Sequence, residues 1–219
     1  ANVEIVPNST GYFRLPPDES AISEAVKILV NAKKPVMLVA DRVAQSDASA
    51  EAVRVAETLG APVYSTLYSE MNFPTRHPLY KGGLRWGFPD AKEALADADA
   101  VLAVGNVFTG YFFFPDDGAS SFSRNTKVVH MDASPREVGK SEPTDVGLIA
   151  DPKVGLIRLA DVLDSSMNGS AKEAAKGRSE TIAGETLAAR SVWNARIEER
   201  WNGTPMSPER MMAEVAAAI

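Results

Sequence analysis

Leu59-Gly60-Ala61-Pro62-Val63, followed by Phe73-Pro74-Thr75-Arg76-His77-Pro78-Leu79-Tyr80-Lys81-Gly82-Gly83, decides how this chain is read. Gly60 and Pro62 stop a helical stripe made by Ala52, Ala56 and Leu59, and Val63 to Thr66 then reads as a strand. The long loop carrying the second stretch follows. Upstream, Ile22, Val26, Leu29 and Val30 share one helical face that begins after Asp18 or Ser20 and ends at Lys33-Lys34-Pro35. Val36-Met37-Leu38-Val39-Ala40 is a continuous apolar run, the pattern of a strand buried on both faces. Downstream, Pro89 suits the first turn of a helix with Ala91, Ala94, Leu95 and Ala98 aligned. Strands are expected at 100–104, 127–132 and near 146–150. Asp151-Pro152 then opens a helix carrying Leu156, Leu159, Ala160 and Leu163. Strands alternating with helices imply parallel pairing through right-handed crossovers. The expected fold is α/β, a doubly wound, mainly parallel sheet with helices on both faces, over residues 18–165.

The flanks differ in kind. Residues 1–17 are extended and punctuated by Pro7, Pro16 and Pro17, as in a linker arriving from a preceding domain. Asn168-Gly169-Ser170 is a break, and residues 171–186 show little apolar periodicity. Trp193, Ile197 and Trp201 then form one helical stripe, and Ser207-Pro208-Glu209 opens a last helix with Met211, Met212, Val215 and Ile219. That helix stops without a C-cap, so residues 166–219 are expected to be a helical linker leading to a further domain.

Composition narrows the function. A formal charge of -6 and a pI near 5.1 argue against nucleic-acid binding. The absence of cysteine removes disulfides, thiolate nucleophiles and Cys-ligated zinc, and fits a reducing cytoplasm. No apolar run approaches a membrane span, and the N-terminus has no signal-peptide pattern.

The two opening stretches resemble the middle domain of thiamine-diphosphate-dependent enzymes of the benzoylformate decarboxylase and acetolactate synthase group. There, such a segment joins the second strand to the next helix. Ala100-Val101-Leu102-Ala103-Val104-Gly105-Asn106 is similar to the family's third strand and its loop. Val128-Val129-His130-Met131-Asp132-Ala133-Ser134-Pro135 is similar to the fourth, and Ile149-Ala150-Asp151 to the last. The resemblance covers about residues 20–165 in order. It implies a central, structural domain of a 2-oxo acid decarboxylase or carboligase that uses thiamine diphosphate and Mg2+. The family's catalytic glutamate and its Gly-Asp-Gly…Asn motif belong to domains before and after this one. The implied partners are those flanking domains, in a homodimer or homotetramer.

In such sheets ligands bind beyond the carboxyl ends of the strands, where strand order reverses. Several relatives hold FAD there and a few hold ADP, on a glycine-bearing loop after the first strand. Here the loop is Ala40-Asp41-Arg42, without glycine. Asp41 would oppose a diphosphate, and Arg42 could compensate only with its side chain turned inward. This disfavours FAD. Gly105-Asn106 and Asp132 complete the expected crevice, a vestigial or weak nucleotide site. Asp132 could bind ribose hydroxyls or cap its own turn, and the cap is favoured. His77 and His130 lack metal-ligand spacing and read as structural. The aromatic segment Phe108 to Pro115 reads either as a core cover or as a contact with another domain. The alternative to an enzyme's central domain is a stand-alone FAD- or ADP-binding or interaction module of the same fold. A sirtuin-type reading fails for want of cysteines.

Overall fold

The computed structural model describes residues 14–66, 70–108 and 120–218. Six strands form one parallel sheet: β1 (Pro35–Val39), β2 (Val63–Thr66), β3 (Tyr80–Leu84), β4 (Ala100–Val104), β5 (Lys127–Asp132) and β6 (Val146–Ile149). Their order is β3-β2-β1-β4-β5-β6, so the direction of winding reverses between β1 and β4. Every residue of β1 and β4 is buried, as their unbroken apolar runs demand.

Alternation along these strands builds two cores. Met37, Val39, Leu102, Val104, Val129 and Met131 face helices α1 (Glu19–Asn31), α3 (Ser49–Leu59) and α5 (Pro152–Ser166). Val36, Leu38, Ala40, Val101, Ala103 and Val128 face the opposite layer with Leu95 of α4 (Pro89–Leu95). Local sequence fixes the helix ends. The Asp18 carboxylate accepts from the Ser20 and Ala21 amides, and Asp151 accepts from the Lys153 amide, in each case using up free N-terminal donors. Gly60 ends α3 in the left-handed region at φ 58.

Three features differ from the sequence reading. The motif loop contains an extra edge strand, β3, whose Gly82 and Gly83 pair with Tyr64 and Ser65. A four-residue helix, α2 (Arg42–Gln45), follows β1. Asn168 is a helix start rather than a break. Its side chain accepts from the Ala171 amide, and α6 runs unbroken through Gly169–Glu199. At 1.5 Å per residue α6 is about 46 Å long. Only Ala175 and Thr186 of α6 are buried, so it lacks the apolar stripe of a core helix. Helix α7 (Pro208–Ala218) buries nothing, with Met211, Met212 and Val215 exposed. Phe108 is buried against Trp86, Phe122 and His130, at ring separations of 4.7, 5.7 and 5.0 Å. Residues 109–115 of the aromatic segment, 1–13 of the extended flank and Ile219 lie outside the described residues.

Candidate functional site at the topological switch point

Ala40, at the end of β1, donates its N–H to Val104 O at 3.0 Å, which holds the β1 and β4 loops together. Gly105, one residue beyond β4, turns the chain at φ 91 and donates to Met131 O at 2.8 Å. A β-carbon at Gly105 would meet the Arg42 Cβ at 3.0 Å and Ala40 O at 3.3 Å, so glycine lets the two loops abut. Half-buried Asn106 follows on the same turn. Ala40, Arg42 and Gly105 thus meet at the reversal of strand order.

Asp132, fully buried at the end of β5, closes the third side. Its Oδ1 accepts from the Ser134 amide at 2.6 Å, the turn-capping geometry. The Arg42 guanidinium turns inward and places Nε 3.3 Å from the same oxygen. Asp41 points elsewhere, its Oδ1 accepting from the Glu70 amide at 2.7 Å. The switch point is therefore spanned by an ion pair from the start of α2 to the end of β5. Asp132 Oδ2 and Arg42 Nε are buried without a hydrogen-bond partner, so the pair is held by charge more than by hydrogen-bond geometry.

His130 lies two residues before Asp132 on the same strand. Its Nε2 is 2.8 Å from Gly105 O. A carbonyl only accepts, so Nε2 carries the proton and Nδ1 is left as a buried acceptor without a partner. Burial pushes this imidazole below its ordinary range, against the opposing pull of the Gly105 carbonyl and Asp132. The ring is neutral at neutral pH and buttresses the Gly105 turn.

His77 serves the motif loop instead. Nδ1 accepts from the Leu79 amide at 3.2 Å and Nε2 lies 3.3 Å from Glu57. Phe73 packs edge-on against it at 5.2 Å and parallel to Tyr80 at 6.2 Å. The sequence shows Arg190 only as one of the charged residues flanking the Trp193, Ile197 and Trp201 stripe, with no site role. This side chain, on α6, donates to the carbonyls of Arg76 at 2.9 Å, Thr75 at 2.8 Å and His77 at 3.2 Å. Hollows of about 580 Å³ (Val36, Pro62, Arg178, Ile182) and 750 Å³ (Arg76, Trp193, Ile197, Met212) lie elsewhere, and no crevice residue lines either.

A diphosphate-bound Mg2+ needs converging oxygen ligands. Among the described residues no group of three His, Cys, Asp or Glu side chains could hold a metal ion. The described residues of the switch point therefore bring no such set of oxygen ligands together. Among the same residues no helix is long and apolar enough to cross a membrane.

Comparison with known proteins accords with this arrangement. The family profile for the central domain of thiamine pyrophosphate enzymes matches residues 22–159. The acetolactate synthase large subunit of Corynebacterium glutamicum is 34% identical over 152 residues, covering 68% of this chain and 24% of that protein. The sulfoacetaldehyde acetyltransferase of Castellaniella defragrans is 32% identical, over 69% of this chain and 25% of that one. Among solved structures, the thiamine-diphosphate-dependent 4-hydroxybenzoylformate decarboxylase of Rhodococcus jostii RHA1 superposes with a TM-score of 0.61 at 26% identity. It covers 72% of this chain and 29% of that one. Benzoylformate decarboxylase from Polynucleobacter necessarius shares the fold, with a TM-score of 0.62 at 22% identity over 74% of this chain and 30% of that one. The chain thus spans about a quarter to a third of the proteins it matches. With its six-stranded parallel sheet and its profile match over residues 22–159, the chain belongs to the thiamine pyrophosphate enzyme family as a central domain.

Proposed function

We propose that this domain connects and supports the flanking domains of a cytoplasmic thiamine-diphosphate-dependent 2-oxo acid decarboxylase or carboligase, and carries none of its chemistry. The observation that carries the reading is the profile match to a central domain over residues 22–159. Thiamine diphosphate would be held with Mg2+ by those flanking domains, in a homodimer or homotetramer. In this reading the crevice of Ala40, Asp41, Arg42, Gly105, Asn106 and Asp132 is vestigial. Arg42 does turn inward, but its guanidinium is already engaged within the chain, by Asp132 at 3.3 Å and by Gln45 Oε1 at 2.9 Å, instead of standing free for a ligand phosphate. The matched relatives carry such a segment as a minor part of a longer chain, which favours a connecting domain over a stand-alone module.

Two measurements test the two parts. Incubated with thiamine diphosphate, Mg2+ and either benzoylformate or pyruvate, the chain is expected to release no CO2 above the protein-free rate. In a calorimeter it is expected to give no saturable heat with FAD or ADP. Turnover would defeat the division of labour, and tight nucleotide binding would defeat the vestigial crevice.

A further inference from the structure

The motif loop is braced by its own hydrogen bonds. Pro74 and Pro78 have no amide hydrogen, and the turn between them is pinned by His77 N–H to Pro74 O at 2.9 Å and Tyr80 N–H to His77 O at 3.1 Å. Phe73 is buried beneath it, and the His77 ring accepts from the Leu79 amide. Three consecutive carbonyls, those of Thr75, Arg76 and His77 (the last accepting from Tyr80 N–H as well), converge on one point. Arg190 fills that point with both terminal nitrogens.

The helix that supplies Arg190 has little else to hold it there. Of α6, only Ala175 and Thr186 are buried. Its other ties to the sheet domain are few: Ile182 packs on the edge of the core, Ala175 abuts Gly60, Arg178 donates to Leu59 O at 2.6 Å, and Glu185 pairs with Lys81 at 3.0 Å. A planar guanidinium can serve several carbonyls at fixed angles, whereas an ammonium acts as a point charge. We infer that the Thr75–His77 carbonyls form a built guanidinium receptor, and that Arg190 is the positioning residue that sets the register of α6 on the sheet domain. Trp193 lies one turn further along and lines a hollow together with Arg76 and Met212 of α7. The receptor therefore also fixes the direction in which residues 191–199 of α6 leave the sheet. That last consequence bears on a following domain only under the function proposed above. The receptor itself is tested within this chain.

The experiment is amide hydrogen exchange on the full chain, comparing Arg190→Ala, Arg190→Lys and Arg196→Ala. Arg190→Ala is expected to speed exchange at His77, Tyr80 and residues 188–198 by about tenfold, the loss of charge-assisted bonds to three acceptors. Arg190→Lys restores this only in part, and Arg196→Ala leaves it unchanged. Millimolar methylguanidinium restores slow exchange at His77 and Tyr80 in Arg190→Ala, while tetramethylammonium does not. Unchanged exchange in Arg190→Ala, full restoration by lysine, or equal effects of the two alanine variants would each overturn the inference.

Discussion

Replacing Arg42 by alanine is expected to destabilise the chain by about 2–4 kcal/mol, although Arg42 only opens the four-residue helix α2 and is one-third exposed. The reason is what it leaves behind. Asp132 is fully buried, and its Oδ2 has no hydrogen-bond partner. Without the guanidinium, a carboxylate would remain in the interior with one amide bond, from Ser134, to offset its lost hydration. The partial exposure of Arg42 lets water screen the site, which puts the cost below that of breaking a wholly buried pair. Asp132→Asn keeps an oxygen to accept from Ser134 and removes the charge, so about 1 kcal/mol is expected. The double variant should cost less than the sum of the two by at least about 1 kcal/mol, because the neutral side chain no longer needs Arg42. Urea unfolding of the four proteins, read as midpoint shifts at constant slope, checks this. If Arg42→Ala unfolds within about 0.5 kcal/mol of the parent, the ion pair does not hold the switch point.

Gly60→Ala is expected to cost more, about 3–5 kcal/mol. Two costs combine. Gly60 sits at φ 58, which disfavours a β-carbon, and that carbon would lie 2.1 Å from the backbone oxygen of Ala175. A backbone atom of a helix cannot swing aside as a side-chain tip can. Helix α6 must therefore lift from the end of α3, taking with it the Arg178 bond to Leu59 O. Gly177→Ala and Gly184→Ala are the contrast. Both lie within α6 with nothing within 4 Å of the added carbon, so each should stabilise by up to about 1 kcal/mol through helix propensity alone. Thermal or urea denaturation separates the cases by sign. A Gly60→Ala protein as stable as the parent would show that α6 does not rest on α3 here.

What the sequence made legible follows from how each element is stabilised. β1, β4 and β5 lie inside the sheet, so their apolar runs were readable one by one, while β2, Val63–Thr66, has no such run and was placed by the Gly60 and Pro62 before it. β3 was not, because an edge strand with an exposed Gly83 and half-buried neighbours needs no apolar run. Helix α6 was read only in part for the matching reason: largely polar clamps hold it, and periodicity detects stripes rather than clamps. Asn168-Gly169-Ser170 looked like a break because the residues that cap a helix are also those that interrupt one. At the crevice, Ala40, Gly105 and Asp132 could be placed from strand ends, since fold topology alone brings strand ends together. That Arg42 turns inward onto Asp132 depends on packing between residues ninety positions apart, and no local pattern encodes it. The role of Arg190 was invisible for the same reason, since its partners are main-chain carbonyls and carry no side-chain signature.

The measurement that bears most directly on the central claim is the reading frame on either side of the segment encoding residues 1–219. A connecting domain requires the frame to continue upstream through a domain with a buried glutamate and downstream through Gly-Asp-Gly…Asn. That is the result expected. A start codon directly before Ala1 and a stop directly after Ile219 would contradict it, and would leave the Arg42–Asp132 crevice as the place to look for a ligand.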